Sequence, residues 1–131
     1  MQPIEVIWPG GKHPMTLAAL AHLEGLQGAV DAGPEFLLNK IRLGQWNAGD
    51  LFEVIRWGLI GGGLDNLEAE KLMRRVFGQH PKADFKGPAI EVLAHALYGP
   101  SDDPVGETGP VMEPTPAEQK TESGSSAPST D

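Results

Sequence analysis

A chain of 131 residues has room for one domain, and with no cysteine it excludes a disulfide framework and a thiolate metal site, as fits a protein made in the cytosol. Its 18 acidic residues outweigh 10 basic ones, which leaves no clustered basic surface for a phosphate backbone and argues against nucleic-acid binding. No apolar run approaches the ~20 residues of a bilayer span, and MQPIEVIWPGG lacks the basic start and apolar middle of a signal peptide, so a soluble, cytoplasmic protein without a membrane partner is expected.

The N-terminal segment alternates Ile4, Val6 and Trp8 against Glu5 and Ile7, meets Pro9-Gly10-Gly11-Lys12, and resumes at Met15 to Leu17. That pattern predicts a hairpin, with Pro9 and Pro14 at strand ends because neither can donate to a ladder. From Ala18 the period changes, and Leu20, Leu23, Leu26 and Val30 fall on the stripe of a first helix weakened by Gly25 and Gly28. Asp31-Ala32-Gly33-Pro34 closes it and opens a second helix over about 34–43, which stops at Gly44. After Gln45-Trp46, Asn47 and Asp50 form a loose capping box for a central third helix, about 48–60, with Leu51, Phe52, Val54, Ile55 and Leu59 inward.

Gly61-Gly62-Gly63 ends that helix, and Asp65 with Glu68 caps a fourth that carries Ala69, Leu72, Met73, Val76 and Phe77 inward and Glu70, Lys71, Arg74 and Arg75 outward. Gly78 and Pro81 end the fourth helix, and a loop through Gly87-Pro88 leads to a fifth with Ile90, Leu93 and Leu97 inward. The expected fold class is α+β, mainly α: a hairpin, about five short packed helices over 1–99, and a tail over 100–131. The tail holds six prolines, five serines and 7 acidic residues against 1 basic, a net of −6, whereas 1–99 holds 11 against 9, a net of −2. Such a composition cannot offset the ordering entropy of ~1–2 kcal/mol per residue and is expected to be disordered.

Little of the chain invites catalysis. The glycine run follows a helix rather than a strand, and Leu64-Asp65-Asn66 after it would repel a phosphate, so Gly61, Gly62 and Gly63 read as a cap and a structural hinge between helices. His13, His22, His80 and His95 lack the i, i+4 pairing of a helical zinc site and read as surface or boundary residues. Thr16 is the single serine or threonine before residue 100, which all but removes a nucleophilic triad, and Glu24, Asp50, Glu53 and Glu68 are accounted for by capping or solvation. No enzyme, cofactor or metal is expected. More informative are apolar residues off the core stripes: Phe36 and Leu43 in the second helix, among Asn39 and Lys40, and Trp57 and Ile60 in the third, toward Glu53 and Arg56. Either other elements cover them, or they form a groove for another protein.

The order Leu43-Gly44-Gln45-Trp46, Asp50, Gly58-Leu59-Ile60-Gly61-Gly62-Gly63, Glu68-Ala69 and Ala96-Leu97-Tyr98-Gly99 before an acidic proline-rich tail resembles a family of gene transfer agents and related tailed phages. That family is labelled phage tail tube protein or, alternatively, tail assembly chaperone. The resemblance implies a protein acting in tail morphogenesis, in the host cytoplasm as a chaperone or in the particle as a tube component. Its implied partners are proteins, the tape-measure protein and tail tube subunits, with self-association as a homo-oligomer open. Tube subunits of long tails resemble one another in being β-rich, so a mainly helical chain favours the chaperone. A virus-unrelated helical interaction domain stands behind both, and a helix-turn-helix regulator is disfavoured because Glu68 and Glu70 offset Lys71, Arg74 and Arg75 on its reading helix.

Overall fold

In a computed structural model, residues 1–100 are described; the expected disordered tail lies outside the described residues from 101 onward. Strands β1 (Ile4–Trp8) and β2 (Gly11–Met15) pair antiparallel across Pro9 and Gly10, with Ile4 opposite Met15, Glu5 opposite Pro14 and Trp8 opposite Gly11. Gly11 makes the turn at φ +119, a conformation that suits glycine. The hairpin is where the alternation placed it, but Pro14 sits inside β2 rather than at its end. Having no N–H, Pro14 can occupy only a pair that exchanges no ladder bonds, so its carbonyl points away from β1 toward the outer edge of β2.

That edge is closed by α3 (Ala48–Gly61), the helix that touches β2, α1 (Leu20–Val30), α4 (Asn66–Phe77) and α5 (Lys86–Tyr98). Thr16 donates its N–H to the Gly58 carbonyl at 3.2 Å. A Cβ on Gly62 would stand 2.5 Å from the Pro14 carbonyl carbon and closer to its oxygen, and one on Gly61 would overlap the Thr16 carbonyl. Two of the three glycines therefore let helix backbone lie directly on strand backbone, which covers an edge that would otherwise be free to pair with another chain. Gly63, at φ +115, ends α3: its N–H reaches the Ile60 carbonyl at 3.0 Å and that of Leu64 reaches Leu59 at 3.0 Å, the two bonds of a Schellman motif.

The remaining helices follow their sequence signals with three corrections. Helix α1 (Leu20–Val30) begins after extended Ala19, and Asp31, left-handed at φ 55, gives its N–H to the Gln27 carbonyl at 2.8 Å. Of its expected inner stripe, Leu26 is buried and Leu23 and Val30 are half-buried, but Leu20 is 70% exposed. Helix α2 (Pro34–Arg42) starts with Pro34 in its first turn and ends in a second Schellman motif, Gly44 at φ 77 bonding Ile41 and Gln45 bonding Lys40. Helix α4 (Asn66–Phe77) is capped by Asp65, which accepts the Leu67 N–H at 3.1 Å.

The second correction concerns the loop expected before the last helix. Lys82–Phe85 form a 3-10 turn that runs straight into α5 (Lys86–Tyr98), so Gly87 and Pro88 lie in its first turn, where a proline's missing N–H removes no bond. Phe85 is thereby driven into the core, its ring 4.7 Å from Phe77 and 6.3 Å from Trp8, with Phe52 edge-on to Phe77 at 5.5 Å. The third correction is His95, which is buried in α5 rather than at a boundary. Val6, Met15, Leu17, Leu37, Leu38, Ile41, Leu51, Ile55, Leu59, Met73 and Leu93 fill the rest of the interior, so hairpin and helices share one core.

Candidate partner-binding surface

The α2–α3 corner is built rigidly. Asp50, almost fully buried, accepts the Asn47 N–H at 2.8 Å and lies 2.9 Å from the Lys40 ammonium, so one carboxylate caps α3 and pins the last turn of α2 to it. Leu37, Leu38 and Ile41 turn into the core from this fixed helix. Phe36 and Leu43 then face solvent, 66% and 72% exposed, on one stripe because seven residues are nearly two whole turns. Gly44, Gln45, Asn47, Ala48 and Gly49 extend the exposed surface around the corner.

Trp57 and Ile60 are placed differently. Both are half-buried against the core, and Trp57 lies under α1, its indole filling the space a side chain on Gly25 would need. The Arg56 guanidinium stands 4.9 Å above the Trp57 ring while pairing with Glu53 at 2.9 Å and reaching the Asn66 side chain at 3.1 Å. His22 closes the other side, its ring 6.2 Å from that of Trp57. His22 Nδ1 and Trp57 Nε1 are both enclosed without a hydrogen-bond partner, each such group costing about 1–3 kcal/mol. The four apolar residues thus divide into an exposed pair on α2 and a covered pair on α3.

Ile7, Leu67 and Tyr98 are exposed as well. Alternation sets Ile7 on the face opposite Val6 and Trp8, whereas sequence reasoning missed Leu67 and Tyr98. A shallow groove of about 260 Å³ lined by His13, Pro14, Leu59, Gly62, Gly63 and Leu64 lies beside the glycine run. His13 is committed there to structure, its Nδ1 accepting the Trp8 indole N–H at 2.9 Å. Among the described residues no three His, Asp or Glu side chains gather as a metal site would require, and no helix is long and apolar enough to cross a membrane. Burial raises the Glu91 carboxyl above its ordinary value, with His95 one turn along opposing the rise.

Neither a curated protein nor a solved structure matches the chain. Residues 2–99 match the model of a family described as phage tail tube protein, GTA-gp10, a span that takes in the hairpin and the five α-helices of the described residues. The chain belongs to this family of tail-associated proteins of gene transfer agents and phages.

Proposed function

We propose that the protein is a tail assembly chaperone, holding the helical tape-measure protein while tube subunits gather on it. The observation that carries this reading is the economy of strand: among the described residues the sheet is one hairpin, and its β2 edge is already occupied by α3. A subunit that closes rings through sheets needs strands with edges to share. The α2 stripe supports the same reading, since Phe36 and Leu43, about 10 Å apart along the helix axis, suit the apolar ridge of an amphipathic helix. A structural role in the tail tube is the second reading, favoured by the family's own description.

Coexpression with the tape-measure protein tests the choice. Copurification of the two, lost on Phe36→Glu and Leu43→Glu while the helical circular dichroism is unchanged, is expected. Recovery of this chain in purified particles at the stoichiometry of a tube subunit would establish the structural role instead.

A further inference from the structure

We infer that α1 is a displaceable strap over the Trp57 face of α3, filling in the free protein the place a client helix takes; the client half rests on the chaperone reading. Four observations carry it. Helix α1 packs chiefly against α3, and Leu26 is its one buried residue. Its intrinsic stability is low: no side chain caps its N-terminus, no acidic residue sits in its first turn, no basic residue in its last, and Gly25 and Gly28 lie within it. A helix so made holds its shape only while docked.

The seam beneath it is also poised to open. His22 Nδ1 and Trp57 Nε1 are sealed there without partners, and lifting α1 returns both to water. The contact itself is generic, because Gly25 receives the Trp57 indole and a Cβ on Gly61 would come within 3.3 Å of His22 Nδ1. An amphipathic helix with a small residue opposite Trp57 and an apolar side chain at the place of Leu26 reproduces that fit. Lifting α1 uncovers Trp57 beside the guanidinium of Arg56, an aromatic anchor with a charged rim.

Native-state hydrogen exchange on the full chain, wild type against Gly28→Ala, tests the strap. A Cβ on Gly28 meets nothing within 4 Å, so alanine there strengthens α1 without altering its contacts. Amides of Leu23 to Val30 are expected to exchange about tenfold or more faster than those of Val54 to Leu59. Gly28→Ala should slow the α1 set roughly five-fold and leave the α3 set alone. Equal rates for the two helices in the wild type overturn the strap. In a second arm, the dissociation constant of a tape-measure fragment should rise by the same roughly five-fold in Gly28→Ala. An unchanged constant overturns displacement by client. Absence of binding to the wild type overturns the client half together with the chaperone reading, while the exchange arm still decides the strap.

Discussion

Gly62 offers a test in which two physical accounts predict opposite signs. Its backbone is right-handed, φ −79 and ψ −2, so conformation alone makes Gly62→Ala favourable by up to ~1 kcal/mol through reduced freedom of the unfolded chain. Packing says the reverse. The new Cβ would stand 2.5 Å from the Pro14 carbonyl carbon and 3.0 Å from the Met15 nitrogen, both backbone atoms that no rotamer change can move. Relief requires β2 to lift from α3, and the Thr16 to Gly58 bond, already 3.2 Å, would be the first to break. Overpacking of this kind costs about 1–3 kcal/mol and the lost bond about 1 more, so a net loss of about 1–3 kcal/mol is expected after the conformational gain. For a body of this size that is a fall in Tm of roughly 5–20 °C, readable from thermal and urea melts by circular dichroism. A Gly62→Ala protein as stable as wild type would refute the edge-on packing and leave the glycine run a turn and nothing more. Gly63→Ala is the companion: its cost of about 1–3 kcal/mol comes from φ +115 alone, with no atom near enough to displace β2.

Three further outcomes follow from the packing. Phe85→Ala, which empties the centre of the aromatic cluster, should cost about 3–5 kcal/mol by urea melt, far above the near-zero effect of a loop residue. Asp50→Ala removes a cap acceptor and an ion-pair partner in one step and should cost about 1–3 kcal/mol, seen first as fraying of α2 and early α3 in amide exchange. Because Glu91 binds its proton more tightly in the folded state, its contribution to stability is complete below the ordinary value of 4.5 and lost as the pH rises through the raised folded value. Urea midpoints should therefore decline with rising pH across that window more steeply in the wild type than in Glu91→Gln.

The sequence announced the elements whose signals are local. Alternation gave the hairpin, Asp65 gave the start of α4, and Asn47 with Asp50 gave that of α3, because each is decided within four residues. Failures came where a distant partner decides. Phe85 lies in a stretch of proline, lysine and aspartate that reads as loop, and only its contact with Phe77 and Trp8 makes it core. Leu20 continues a helical stripe yet is exposed, because the stripe alone does not tell which of its members meets a partner. The candidate surface was half legible for the same reason. Helical phase identified Phe36, Leu43, Trp57 and Ile60 as off the main stripes, whereas which of them α1 would cover depends on Gly25 admitting an indole, a fact of tertiary approach.

Glycine has two different uses in this fold, and the difference divides the molecule. At Gly61 and Gly62 it lets backbone meet backbone, helix end against strand edge, reinforced by the Thr16 to Gly58 bond. No foreign segment can substitute there without carrying both the strand and the carbonyl geometry, so hairpin and α3 form a fixed frame, braced through β1 by α5. At Gly25 it lets a side chain meet backbone, and any helix that presents a small residue to Trp57 satisfies the same requirement. A frame of the first kind with a cover of the second kind is what the proposed strap requires, since of the fully buried side chains lifting α1 withdraws Leu26 alone.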